Sequence, residues 1–163
     1  LHLLDTDVVW ALRGHDSTGA NDPLFEWVAE QMPSTLFVSP VTMMDLEGGA
    51  RQLERKDKAS AAAIRDWVET RLRPAFEGRV VAIDEAVTRR WAALGYADTR
   101  DGLLAASALE HGLVLATRSA ARFRIGKVKT LNPWTYTPDA EELDWRRASQ
   151  NAPKWLKSLF VRA

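Results

Sequence analysis

The stretch Leu1-His2-Leu3-Leu4-Asp5-Thr6-Asp7-Val8-Val9-Trp10-Ala11-Leu12 opens the chain and decides how the rest is read. Its first four residues are apolar or nearly so, run directly into Asp5, and give way to a fresh apolar pattern from Val8. A short continuous apolar run suits a strand covered on both faces, as in a parallel sheet flanked by helices. Asp5 then stands at the carboxyl end of that strand, where the following helix turns away and open α/β sheets leave a ligand crevice. The competing reading makes Asp5 only the N-cap of the next helix.

Similar signals recur outward from this stretch. Residues 35–38 (TLFV), 79–83 (RVVAI), 113–117 (LVLAT) and 128–132 (VKTLN) are predicted strands. A short helix is predicted over residues 8–13, ending near Gly14. Asp22-Pro23 and Ser39-Pro40 each join an N-cap acceptor to a first helical residue that needs no donor. The second of these opens a helix containing Val41, Met43, Met44 and Leu46, weakened in its middle by Gly48-Gly49. The charged run RQLERKDK ends that helix or turns into another over residues 59–72. Asp84 caps a helix that buries Val87, Trp91 and Leu94; Asp101 heads the next, which closes at Gly112 in a left-handed turn.

Strands alternating with helices predict a parallel sheet with helices on its faces. After Asn132-Pro133-Trp134 the sheet pattern yields to a polar, tryptophan-rich tail. The expected division is a domain over residues 1–134 and a helical extension over 135–163.

At 163 residues a chain can bury roughly two-thirds of its unfolded surface, so a single core needs no metal or oligomer to hold it. The 22 basic and 22 acidic side chains cancel, which leaves any polyanion site to a local patch. Cysteine is absent, excluding disulfides, thiolate metal sites and a cysteine nucleophile. No apolar run approaches the roughly 20 residues of a membrane span, and no signal-peptide pattern is read at the start. A cytoplasmic protein without a membrane partner is expected. The chain opens on Leu1 rather than Met, so a natural start upstream is also expected.

The chemistry is sought among the carboxylates. Asp45 lies beside Met43, Met44 and Leu46, and an unpaired carboxylate buried among apolar groups is costly. A divalent cation would compensate it; the alternative has Asp45 facing solvent. His2, His15 and His111 have no ligand spacing, so hard oxygen donors favour magnesium or manganese over zinc.

Taken in order, LLDTDVVWALR, SPVTMMDLEGGARQLER, FEGRVVAIDEAVTRRWAAL, DGLLAASALEHGLVLATRSAARF and VKTLNPW resemble the PIN-domain ribonucleases, in particular the VapC-type toxins of bacterial toxin–antitoxin pairs. The resemblance runs from Leu1 to about Trp134. It implies a three-layer α/β/α fold around a mainly parallel sheet, with an acidic cluster that holds Mg2+ or Mn2+ and cleaves RNA. Asp5 matches the first family acid and Asp45 the second, where Glu is usual. Asp101 matches the third, with Asp98 as a possible stand-in one turn earlier. Asp7 stands where Asn is commoner.

The fourth family position departs from the pattern. Ser119 replaces Asn or Asp there, and Arg122 replaces a later acid. The expectation is one metal held by Asp5, Asp45 and Asp101, with Ser119 positioning a water and a second metal left without its full ligand set. Thr6 is a candidate for orienting Asp5. Arg118 and Arg122 stand out from Arg13, Arg124, Lys127 and Lys129 as phosphate contacts.

The resemblance also implies a homodimer and a small antitoxin encoded alongside. In the tail, Leu143, Trp145 and Ala148, then Trp155, Leu156, Leu159 and Phe160, fall at helical spacing around Pro153. That face must cover either the domain's own surface or a second subunit or antitoxin. The resulting reading is a metal-dependent endoribonuclease that acts as a toxin. Its competitors are a catalytically impaired RNA- or partner-binding module and a nuclease acting on DNA through the same site.

Overall fold

Strand β1 (His2–Leu4) pairs in parallel with β2 (Leu36–Phe37) on one side and β3 (Val114–Ala116) on the other. β4 (Thr130–Leu131) adds in parallel to β3, giving the order β2-β1-β3-β4. The computed structural model describes residues 1–14, 22–138 and 153–161.

Alternation along β1 sets the layering. Successive side chains of a strand point to opposite faces, and Leu3 and Leu4 are both fully buried, each in a different core. Leu4 joins Val8 and Leu12 of α1 (Thr6–Arg13), Leu24 and Val28 of α2 (Pro23–Glu30), and Trp67 of α4 (Lys58–Trp67). Leu3 joins Val41 of α3 (Pro40–Glu54), Leu104 and Ala108 of α7 (Thr99–Glu110), Leu115 and Phe123. Helices therefore cover both faces of a parallel sheet, as the continuous apolar run requires. A π turn (Val68–Leu72) and α5 (Arg73–Ala75) prolong α4, and α6 (Glu85–Leu94) leads to α7.

The local start signals work as read. Asp22, Ser39 and Asp84 each accept from a backbone N–H of the helix they precede. α3 runs unbroken through Gly48 and Gly49, so its contacts with the neighbouring helix outweigh the glycines' weak helix propensity. Gly102 has a different role. A Cβ there would meet Trp91 ring atoms at 2.7 and 2.8 Å, so only glycine lets the first turns of α7 lie against α6.

Residues 79–83 do not form the expected strand. Val38 and Val80 make a single parallel bridge, with Val38 N–H donating to Arg79 O and Val81 N–H to Val38 O. The reason lies in the partner: Ser39 already caps α3, so β2 offers only one further residue to pair. Trp91 and Leu94 are half-buried rather than buried, because each stands at the margin of its helix's inward face.

The last described segment packs on the same core. Leu156, in α8 (Lys154–Lys157), and Leu159 are fully buried beside Trp67, whose indole N–H donates to Leu159 O at 2.7 Å. Arg71 donates to the Ser158 and Phe160 carbonyls, and the Phe160 ring lies 5.0 Å from Phe25. These side chains cover the chain's own surface; Leu143, Trp145 and Ala148 fall outside the described residues, as does His15. Leu156→Ala is expected to cost about 2–5 kcal/mol of folding stability, the usual cost of emptying a fully buried leucine site. Chemical denaturation measures it, and a loss below about 0.5 kcal/mol, the surface range, would mean that the segment is not part of the core.

Candidate active site

The carboxyl edge of the sheet gathers the acids, and Asp5 lies deepest. Its backbone N–H donates to Ala116 O at 3.0 Å, which locks it beside the end of β3. With Leu4 opposite Ala116, the next residues on the two strands, Asp5 and Thr117, emerge together. The Asp5 side chain is only 3% exposed. One carboxylate oxygen, Oδ1, accepts from Thr6 N–H at 2.7 Å; the other, Oδ2, accepts from the Thr117 hydroxyl at 2.8 Å. Asp5 is thus both the cap of α1 and the floor of the crevice, so the two readings of it are compatible. Burial, and then the neighbouring Asp7, push its pKa up, while the hydrogen bonds from Thr117 and Thr6 and the charge of Arg122 pull it back.

Arg122 joins this floor to Asp101. Its Nη1 lies 3.5 Å from Asp5 Oδ2, its Nε donates to Asp101 Oδ2 at 3.0 Å, and its Nη2 donates to Asp101 Oδ1. A guanidinium fork suits such two-pronged binding, because its N–H groups are fixed in one plane. The backbone turn is held by Arg122 N–H on Ser119 O at 3.0 Å and by the buried Phe123 ring.

Asp101 does not head its helix. Asp98 does, its Oδ1 accepting from the N–H groups of Arg100 and Asp101, both at 2.9 Å. Of the two neighbouring aspartates, the earlier one is in reach of the unpaired N–H groups of the first turn. Asp101 is left free on that turn to face Arg122, and Asp98 is engaged in capping.

Asp45 stands apart from this pair. Its Oδ2 accepts from the Thr6 hydroxyl at 2.9 Å and its Oδ1 from Arg100 Nη1 at 3.1 Å. It is not enclosed by methionines, because Met44 is 61% exposed on the turn beside it. Thr6 therefore couples two acids, giving its backbone N–H to Asp5 and its hydroxyl to Asp45. Among the described residues, no three acidic or histidine side chains converge closely enough to hold one ion. Asp5 and Asp101 share a cation, while Asp45 is linked to them through Thr6.

The remaining candidates enter in other ways. Ser119 contributes through its backbone, its N–H donating to Thr117 Oγ1 at 3.1 Å. Arg118 N–H donates to Asp7 Oδ2 at 3.0 Å, and its guanidinium stacks 4.0 Å from the Trp134 ring centre. Asp7 Oδ1 is buried without a hydrogen-bond partner among the described residues. Arg13 lies over Trp10 and Trp67 instead of in the crevice.

Sequence reasoning assigned no role to Thr117, Arg100 or Trp134. For Thr117 a signal existed, since it follows β3 as Asp5 follows β1. None marked Arg100 as the partner of an acid on a distant helix.

Asp5 and Asp101 offer the hard carboxylate oxygens that magnesium or manganese takes one or two at a time, the rest of its shell being water, with Asp45 beside them. The Arg122 guanidinium between two of them marks a place where positive charge is favoured. A PIN-domain family model matches residues 3–124. The chain belongs to the PIN-domain family.

Relatives of this PIN chain match it along nearly all of their own length. The plasmid stability protein StbB of Pseudomonas syringae pv. tomato is 30% identical, over 81% of this chain and 97% of the relative. The VapC ribonuclease Y4jK of Sinorhizobium fredii is 30% identical, over 81% and 96%. The toxin FitB of Neisseria gonorrhoeae is also 30% identical, over 81% and 97%. Among solved structures, FitAcB from Neisseria gonorrhoeae superposes with a TM-score of 0.71 at 28% identity, covering 83% of this chain and 99% of that one. The resemblance read from the sequence holds, as does the α/β layering. No described helix is long and apolar enough to cross a membrane.

The upward push on Asp5 has a measurable consequence. A folded-state pKa above the unfolded one means that ionising Asp5 costs folding energy. The cost is full above the native pKa and fades as pH falls through it towards the ordinary aspartate range. Asp5→Asn in chelator is expected to raise the melting temperature at neutral pH, because the cost of holding a buried charge is removed. The gain should disappear within that acid window. A neutral-pH loss, or a gain unchanged at acid pH, contradicts the assignment.

Proposed function

We propose that this chain is a metal-dependent endoribonuclease and the toxin of a toxin–antitoxin pair. The observation that carries the reading is the convergence of Asp5 and Asp101 on one cation at the carboxyl edge of a parallel sheet. Similarity to a VapC ribonuclease and to the toxin FitB supports it. In this reading Asp5 and Asp101 hold Mg2+ or Mn2+ directly, and Asp45, kept turned towards Asp5 by Thr6, reaches the ion through a water because its arm is shorter than that of the usual Glu. The bound ion would lower the pKa of a water and neutralise charge developing on the phosphodiester.

The other groups of the crevice orient what is cut. Arg118 and Arg122 contact phosphates of the RNA, and Ser119 positions the attacking water at the turn after β3. Thr117 keeps the Asp5 carboxylate in one orientation, so that it does not reorganise during the reaction. An antitoxin partner is supported by the similarity to FitB, whose fold is also seen in FitAB bound to a DNA fragment, at a TM-score of 0.70 and 25% identity. Homodimerisation, a cytoplasmic location, and residues 1–134 as the nuclease unit with 135–163 as its extension complete the proposal.

A second reading, an RNA- or partner-binding module without catalysis, is favoured by one observation. Each acid is already matched by an arginine, Asp5 and Asp101 by Arg122 and Asp45 by Arg100. Incubating the protein with single-stranded RNA, with the same sequence as DNA, and with Mn2+ or chelator separates the readings. Manganese-dependent cutting of RNA is expected, falling at least ~100-fold in Asp101→Asn, the scale on which loss of a group stabilising developing charge acts. Cutting that persists in chelator or in Asp101→Asn contradicts the assignment. No cutting of either nucleic acid favours the binding module.

A further inference from the structure

Arg122 is placed unlike the other cations of the crevice. One guanidinium spans both Asp5 and Asp101, while Arg100 serves Asp45 and Arg118 lies against Trp134. Its backbone is pinned by Ser119 O and by the buried Phe123, yet the side chain is 44% exposed at the open mouth. A fixed base with a half-solvated head can turn about its side-chain bonds without disturbing the core.

Four carboxylates, on Asp5, Asp7, Asp45 and Asp101, line this edge, so positive charge between the pair under Arg122 is strongly favoured. A guanidinium and a divalent ion cannot occupy the space between the same two carboxylates. Whichever is there excludes the other.

We propose that Arg122 is a built-in counter-ion of the Asp5–Asp101 pair, exchanged for the divalent metal, and that the exchange frees its guanidinium to grip phosphate. This rests on the metal-dependent reading given above. The exchange has two consequences. Metal affinity is weakened by the need to displace the guanidinium. Metal and nucleic acid then favour one another, because each binds better once Arg122 has left the acids, and such coupling is reciprocal.

Isothermal titration of Mn2+ into wild type, Arg122→Gln and Arg124→Gln tests the first consequence without catalysis. Arg122→Gln is expected to bind Mn2+ at least ~10-fold more tightly than wild type, a ratio equivalent to about 1.4 kcal/mol. Arg124→Gln, which removes an exposed charge two residues on, is expected to stay within about 2-fold, the small effect of a screened surface charge. Fluorescence anisotropy of a single-stranded DNA oligonucleotide of unreactive backbone tests the second. Mn2+ should tighten its binding more in wild type than in Arg122→Gln, where only the ion's own charge is gained, and equal tightening in the two overturns the coupling.

If Arg122→Gln does not fold, Arg122→Lys keeps a charge without the fork and should show an intermediate gain in Mn2+ affinity. Equal Mn2+ affinity in wild type and either variant overturns the exchange while leaving the metal reading intact. Equal tightening in Arg122→Gln and Arg124→Gln also overturns it, because general charge would then suffice. Absence of Mn2+ binding in every form overturns the metal reading and the exchange together.

Discussion

A carboxylate taken out of water must be given donors and counter-charge or it takes up a proton, and Asp5 bears this constraint most heavily. β1 lies in the interior of the sheet, between β2 and β3, so the residue following Leu4 emerges within the crevice. The neighbouring elements respond to that fact. The start of α1 provides the Thr6 N–H, the register of β3 brings in the Thr117 hydroxyl, and the turn after β3 carries Arg122 across to Asp101.

Such a site stores unfavourable electrostatics for use. Four acids on one edge repel one another and would repel a phosphodiester, so a cation both eases their burial and favours binding of an anion. Arginine meets the first need with charge alone. Mg2+ or Mn2+ would add the acidity of a bound water, which no guanidinium supplies. The fold keeps this tension local: Leu3 and Leu4 lead into separate apolar cores, and the strain is confined to residues beyond the strand ends. Proteins commonly keep such destabilised positions where activity requires them.

The parts of the fold that depend on neighbours in sequence were legible there. The opening apolar run, the Asp22-Pro23 and Ser39-Pro40 starts and the left-handed Gly112 each act within a few residues, and each does what its chemistry requires. Residues 79–83 failed as a strand because pairing depends on a partner that ends at Ser39. The helix start fell to Asp98 because two aspartates within one turn compete for the same N–H groups, and spacing alone does not choose between them.

In the site, Asp5 and Asp101 could be named from their motifs, but not the cation they share. The pairing of Arg122 with acids 21 and 117 residues away depends on how β1, α7 and the turn after β3 are assembled. The same holds for Arg100 and Asp45, 55 residues apart. Met44 misled because its apolar character suggested burial around Asp45, whereas it occupies the helix's open side.

The central physical claim is that Asp5 and Asp101 form one seat for positive charge. Diffraction from crystals equilibrated with Mn2+, collected at a wavelength where manganese scatters anomalously, tests it most directly. The expected result is an anomalous peak roughly 2.0–2.3 Å from carboxylate oxygens of both Asp5 and Asp101, as hard divalent ions require, with Arg122 turned out of the space between them. A map with Arg122 still bridging the two carboxylates and manganese absent or bound elsewhere would contradict it.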